Sequence, residues 1–299
     1  MKQLVVTADD FGAAPAVNEA VEAAHLRGVL SAASLMVAAP AAADAIARAR
    51  RLPSLRVGLH LVLVEGTPVL PVSKVSHLID SSGQLRSDLA AFGTTLAFNR
   101  RARHELAAEI QAQFAAFRDS GLTLDHCNGH KHFHLHPVVA SLLTSVGPRF
   151  GLRAVRVPLE PRRVLQQVEP SATWSTAHLT SPFALALRRR VRAAGLLGAD
   201  QVFGLQWSGQ MTSERLGGLI RNLPEGLSEI YLHPATEPYP GCATGYRYRE
   251  ELQALIAPAV IAACRDPALR TGGFGDFLSR GMRADSGRTS ETGRLSPRA

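Results

Sequence analysis

Two acids stand side by side at Asp9-Asp10, directly after a short apolar run, Gln3–Ala8. His60 sits near the end of another such run, Arg56–Leu63. His126, His130, His132, His134 and His136 crowd the stretch that begins at Asp125, and His233 follows Ile230-Tyr231-Leu232. Singly, each has a bland explanation. Adjacent acids after a strand often form turns or caps, and a lone histidine is more often a hydrogen-bonded core residue. The histidine run resists that explanation. It is internal, interrupted by Phe133 and Leu135, and tight histidine clusters point to metal binding or proton transfer. Together these types suit hydrolysis at a divalent ion. One carboxylate and two imidazoles hold the ion, a second carboxylate takes a proton from water, and a histidine protonates the leaving amine.

Such groups need elements to carry them, and the chain alternates strand-like and helix-like segments. Strands are expected at 3–8, 31–37, 56–63, 123–128, 152–157, 201–205 and 228–232. Helices are expected at 15–27, 41–51, 101–120, 137–150, 181–195, 212–222 and 249–264. Residues 64–100 carry no clear element and read as a long insertion, a loop length usually associated with lids or mobile segments. Repeated β–α units with apolar strands favour a parallel sheet buried on both faces. About seven such units predict an α/β fold, a distorted (β/α) TIM-like barrel, as a single domain over 1–282. An open doubly wound sheet is the alternative. The candidate residues then fall at carboxyl ends of strands, where barrel enzymes keep their chemistry. Residues 283–299, rich in Ser, Thr, Gly and Arg, are expected to be disordered.

Composition narrows the class. With 46% hydrophobic and 19% charged residues over 299 positions, the chain is globular and can bury a sizeable core. No apolar run approaches the roughly 20 residues of a membrane span. The start lacks a signal-peptide pattern, and three scattered cysteines make no disulfide framework. A cytoplasmic location is expected. The formal charge is +8, but it is concentrated in residues 149–200 and the last twenty. A general nucleic-acid binder would be evenly basic, so no nucleic-acid partner is expected. Neither a dinucleotide nor a P-loop glycine motif follows the first strand.

The ordered motifs Thr7-Ala8-Asp9-Asp10-Phe11-Gly12, Gly58-Leu59-His60-Leu61, Asp125 through His130-Lys131-His132-Phe133-His134, and Leu232-His233-Pro234-Ala235 resemble those of the YdjC-like carbohydrate deacetylases. The resemblance spans roughly residues 1–280. Ser34–Ala38, Gly58–Pro68 and Asn128–His134 look closest to the hopanoid-biosynthesis-associated HpnK branch. The resemblance implies a distorted barrel and a metal-dependent N-deacetylase. It makes Asp10, His60 and His130 metal ligands, Asp9 the general base and His233 the general acid. It also implies magnesium, whereas two imidazoles favour zinc or another transition metal. The sequence departs from chitooligosaccharide members around Asn128-Gly129 and Lys131, which leaves His126 and His132 as competitors of His130.

By this resemblance the substrate is an N-acetylglucosamine-type sugar on a glycosylated hopanoid lipid. A soluble chitooligosaccharide, or a non-catalytic metal- or sugar-binding barrel, are the alternatives. Residues 181–197 add one observation. Phe183, Leu187 and Val191 recur at helical spacing, and Arg188, Arg189, Arg190 and Arg192 share one turn. An ordinary barrel helix with a solvated basic flank explains this. So does a helix resting on an anionic membrane surface at the inner membrane.

Overall fold

The computed structural model describes residues 1–172 and 180–278. The expected tail at 283–299 lies outside them. The chain begins with strand β1 (Lys2–Phe11), helix α1 (Pro15–Arg27), β2 (Ala32–Leu35), α2 (Ala42–Arg51) and β3 (Arg56–Leu61). Next come α3 (Leu89–Phe98), α4 (Arg100–Asp119), β4 (Cys127–Gly129), α5 (Pro137–Val146), α6 (Arg162–Val168) and α7 (Ser181–Ala193). It ends with β5 (Gln201–Phe203), α8 (Ser213–Arg221), β6 (Gly226–Leu232), α9 (Tyr248–Ile256), α10 (Pro258–Cys264) and β7 (Leu269–Thr271).

The strands form one parallel sheet in the order β4-β3-β2-β1-β6-β5. β7 pairs with the first residues of β1, beside the part that pairs with β2. Between β5 and β4 the wall is completed by residues 152–159. Val155 bridges Cys127, Ala154 bridges Leu197, and the Val202 N–H donates to the Leu159 carbonyl at 2.8 Å. The result is the α/β, distorted TIM-like barrel expected.

Alternation along β1 sets the layers. Leu4, Val6 and Ala8 face the large core between sheet and helices. Val5 joins the inner cluster with Val202, Tyr231 and Phe274, and Thr7 and Asp9 continue its face. The inner layers above Val5 are therefore polar and bring functional side chains from different strands together. Helices cover the outside by their apolar stripes. On α4, Leu106, Ile110, Phe114 and Phe117 are buried, and Asn99 caps its N-terminus by accepting from the Arg101 and Ala102 N–H groups.

Several expected boundaries change. The fifth strand, 152–157, makes only isolated bridges. The fourth shrinks to Cys127–Gly129, and the helix expected over 249–264 splits before Pro258, where Ala257 turns extended. The insertion 64–100 is not featureless: it carries a 3₁₀ turn at Val72–Lys74 and helix α3. Among the described residues no helix is long and apolar enough to cross a membrane.

Candidate active site

Strict strand alternation would send Asp9 and Asp10 to opposite faces. A bulge prevents this. Between Ala8 and Phe11 the register with β2 slips by one residue, and Asp10 takes a left-handed backbone with φ of 60°. Both acids consequently line one cavity of about 470 Å³ at the carboxyl ends of the strands. Asp10, Glu65, Lys131 and His132 are the non-glycine residues with left-handed backbone among the described residues, and all four line this cavity. At about 1–2 kcal/mol each, that strain is held by surrounding packing and is concentrated where chemistry would occur.

Asp10, His60 and His130 converge. Asp10 Oδ1 lies 3.3 Å from His60 Nε2 and 3.2 Å from His130 Nδ1, and the two nitrogens are 3.4 Å apart. Three donors held about 2.05 Å from an ion at tetrahedral angles would stand about 3.3 Å from one another. The triangle therefore fits a small divalent cation. His60 is also prepared on its other side: Nδ1 lies 2.7 Å from Asn128 Oδ1. A metal-binding imidazole is typically held in this way. Burial opposes charge on Asp10 and on His60, but each counters the other. The His130 and His60 rings hold the Asp10 carboxyl well below its ordinary range. The two acids raise the proton affinity of His60.

Asp9 makes different contacts. Its carboxylate accepts from Arg156 Nη1 at 2.5 Å and Nη2 at 3.0 Å, and from Asn128 Nδ2 at 3.0 Å. Arg156 also donates to both oxygens of Glu229, and Thr7 Oγ1 donates to Glu229 Oε1 at 2.8 Å. The guanidinium is fully buried and lies 4.3 Å from the centre of the Tyr231 ring. Burial alone would raise the Asp9 carboxyl, yet Arg156 holds it below the usual carboxylate range. Asp9 is thus an ionised, oriented carboxylate beside the triangle rather than a member of it.

His233 lies on the same cavity, with the Tyr231 ring 5.7 Å away and the Tyr246 ring 5.1 Å away, centre to centre. Its backbone N–H donates to Glu251, and no protein group partners its buried Nδ1 among the described residues. Burial lowers its proton affinity below the ordinary histidine value. Across the cavity, Lys131 pairs with Glu65. Behind the histidine loop stands the insertion. Phe92 of α3 stacks on Phe133 at 5.3 Å, Phe133 stacks on His136, and His136 Nε2 donates to the Gly93 carbonyl.

All five expected site residues, Asp9, Asp10, His60, His130 and His233, meet at this cavity. His126 does not compete with His130. It lies below the site, fully buried between Asp125 and Ser34. Asp125 and His126 precede β4 rather than closing it. His132 and His134 sit against the inner wall. His132 Nε2 lies 2.9 Å from the Tyr231 hydroxyl, and His134 Nε2 donates to the Arg156 carbonyl. Burial depresses both imidazoles, His134 to about 3. The sequence reading missed Arg156, Glu229, Asn128 and Ser34. A signal existed for one of them: Glu229 is a charge just before the apolar Ile230-Tyr231-Leu232, whereas Arg156 shares its run Leu152–Val157 with Arg153.

On α7 the expected stripe is altered. Ala184, Leu187 and Val191 are buried, whereas Phe183 is 48% and Leu185 40% exposed. The exposed side also presents Arg189, Arg190 and Arg192, and the helix starts beside Thr180, which lines the cavity.

The chain is similar to known proteins over most of its length. It is 31% identical to a human carbohydrate deacetylase over 93% of this chain and 92% of that protein. It is 33% identical to a mouse carbohydrate deacetylase over 87% and 90% respectively. A crystal structure of an Enterococcus faecalis V583 protein superimposes with a TM-score of 0.73, covering 93% of this chain and 99% of that one at 22% identity, which supports the fold. The family model for YdjC-like proteins matches residues 3–266. With a barrel of this form and a match across nearly all of it, the chain belongs to the YdjC-like protein family.

Proposed function

We propose that this protein is a metal-dependent hydrolase that removes the N-acetyl group from an N-acetylglucosamine-type sugar. One observation carries the reading: the Asp10–His60–His130 triangle shares a cavity with Asp9, a carboxylate outside the triangle that Arg156 keeps ionised, and with His233. Relatives named carbohydrate deacetylases support the substrate class. A bound divalent ion would polarise the amide carbonyl and make a water more acidic. Asp9, kept ionised and aimed by Arg156, takes the proton from the attacking water. His233 delivers a proton to the leaving amine; burial weakens its hold on that proton and so makes its imidazolium the stronger acid. The tyrosines around His233 give the sugar rings apolar faces to stack on.

Two imidazoles beside a single carboxylate favour zinc or a similar transition metal over magnesium, which prefers a shell of oxygens.

The finer substrate reading is a sugar carried on a hopanoid lipid, with the enzyme at the cytoplasmic membrane face. Its support is α7, which carries exposed Phe183 and Leu185 together with several arginines and begins just after Thr180 of the cavity lining. Co-sedimentation with anionic vesicles tests the contact. Replacing Arg188, Arg189 and Arg190 by Gln should weaken binding by about 1 kcal/mol per surface charge and leave turnover on a soluble glucosaminide unchanged. Wild-type protein that stays in the supernatant removes the membrane reading. A soluble chitooligosaccharide is then the substrate to pursue.

Acetate release from a soluble N-acetylglucosaminide, with and without chelator, tests the reaction. Asp10→Asn and His60→Ala should lower metal content and activity together. Asp9→Asn should keep the metal and lower turnover by roughly 10²–10⁴-fold. His233→Ala should lower turnover more than metal content. Full activity in metal-loaded Asp9→Asn would refute the base assignment, and no acetate release from metal-loaded wild type would favour a binding barrel.

A further inference from the structure

Below the cavity a line of fully or nearly fully buried polar groups crosses the barrel interior. It starts at the C-terminal segment, where the Phe274 and Gly275 N–H groups donate to Asp125 at 3.1 and 2.8 Å. Asp125 Oδ2 lies 2.9 Å from His126 Nδ1, and His126 Nε2 lies 3.0 Å from Ser34 Oγ. Asn128 Nδ2 is 3.0 Å from both Ser34 Oγ and Asp9 Oδ1, while Asn128 Oδ1 is 2.7 Å from His60 Nδ1. The line therefore ends on a metal-ligand candidate and on the proposed base at once.

Its proton directions are dictated by hydrogen-bond counting. The Asp125 carboxylate only accepts, so His126 carries its proton on Nδ1. His126 Nε2 is then an acceptor, and it takes the Ser34 hydroxyl proton, for which it is the acceptor within reach among the described residues. Ser34 Oγ is left to accept from the Asn128 amide. At the other end the Asp9 carboxylate demands the second amide proton, which fixes the Asn128 amide nitrogen on that side. Asn128 Oδ1 then faces His60 and accepts from Nδ1. With Nδ1–H committed to Asn128, Nε2, which faces Asp10 and His130, is the nitrogen that a cation in the triangle would take. The two carboxylates, reached from opposite ends, enforce the same direction.

We propose that Asp125, His126, Ser34 and Asn128 act as positioning residues: a one-directional hydrogen-bond relay that sets the His60 tautomer for metal binding and holds Asp9 in place. Gly58 supports it sterically, since a Cβ there would lie 2.5 Å from the His126 ring. The proposal rests on the reading of Asp10, His60 and His130 as ligands, and its test separates the two.

Long-range proton–nitrogen NMR of metal-free, histidine-labelled protein, at a pH high enough to leave His60 neutral, reads the tautomer, and Zn2+ titration reads affinity. Wild type should show the His60 proton on Nδ1. Asn128→Leu removes both the acceptor for His60 and the donor to Asp9. It should mix the His60 tautomers and weaken Zn2+ binding by roughly 10–100-fold, the usual effect of losing an outer partner of a metal ligand. Asn128→Asp restores the acceptor but sets an anion against Asp9. It should recover the tautomer and Zn2+ affinity while turnover stays low. Ser34→Ala, a milder change, should alter the His126 Nε2 signal and give a smaller loss of affinity in the same direction. A folded Asn128→Leu or Ser34→Ala protein with the wild-type His60 tautomer and affinity overturns the relay. Wild type that binds no Zn2+ overturns the ligand reading, and the tautomer measurement still decides the relay.

Discussion

Arg156→Met should be among the most damaging single substitutions in this protein. The guanidinium lies between two carboxylates, meeting Asp9 at 2.5 and 3.0 Å and Glu229 at 2.8 and 3.1 Å. Arg156 and Glu229 are 0% exposed and Asp9 is 2% exposed. Methionine fills the space but leaves both carboxylates unpaired. Breaking one buried pair costs about 3–5 kcal/mol, and here two anions lose their cation. Thr7 and Asn128 still donate to them, which argues for a value near the top of that range rather than a doubling. At roughly 2–4 °C per kcal/mol for a domain of this size, the melting temperature should fall by roughly 8–20 °C. Two further variants sharpen the test. Arg156→Lys keeps a positive charge but cannot bridge both carboxylates, so its drop should be about half as large. Adding Glu229→Gln to Arg156→Met removes one stranded charge and should recover part of the loss. Melting followed by circular dichroism at low and high ionic strength is the assay. The drop should persist in salt, because the pair is shielded from solvent. A melt for Arg156→Met within about 3 °C of wild type would refute the argument.

Other expectations follow from the same contacts. Glu251 is fully buried, accepts from the Met211 and His233 N–H groups, and is pushed by burial from 4.5 up to about 7. Between those values the native state keeps a proton that the unfolded chain releases, so stability should decline as pH rises from 4.5 to about 7, by at most about 3 kcal/mol. Urea midpoints compared across that window should show the slope, and Glu251→Gln should reduce it, leaving the part due to Glu160, which burial also pushes up to about 7. Phe92→Ala should cost about 3–5 kcal/mol and weaken metal binding, because Phe92 backs the histidine loop. Phe98→Ser, at a position 83% exposed, should change stability by no more than about 0.5 kcal/mol. Glu65→Gln and Lys131→Met should raise KM for a glucosaminide more than they lower kcat. Equal KM values would show that the pair does not touch the sugar.

That Asp9, Asp10, His60, His130 and His233 line one cavity was legible because they sit on local motifs. Asp9-Asp10, His60, His130 and His233 each stand at or just past a strand's end, and parallel strands in register bring such ends together. What joins them was not legible. Arg156 reaches Asp9 across 147 positions and Asn128 reaches Asp9 across 119, and nothing in the local pattern of either partner encodes that meeting. One arginine in an arginine-rich stretch also carries little signal. The bulge at Asp10 was hidden because it is defined by register against β2. Helix α3 was missed for another reason: LAAFGTTLAF has no polar face and a central glycine, so periodicity gives no helix, and packing of Phe92 and Leu96 on its neighbours supplies it. The run 152–157, with Leu152, Ala154, Val155 and Val157 among two arginines, gave the opposite error. It looks like a strand, but the partner on each side meets it at single points.

The pairing of β1 also sets a schedule for synthesis. This strand carries both acids, yet its longest pairing is with Gly226–Leu232 and its first residues also pair with Leu269–Thr271. At about 5–20 residues per second, a ribosome needs roughly 10–45 s after making β1 before β6 has been made. Through that interval the nascent chain has β2 as a neighbour for β1, with β3 beyond it, but nothing to cover its other edge. Asp9 waits for Arg156, and the Asp125 carboxylate waits for the Phe274 and Gly275 N–H groups until almost the whole barrel has been translated. Assembly of the candidate site is therefore a late event. A chain stopped just after β6 would hold every proposed ligand and still lack the C-terminal anchor that orients one of them.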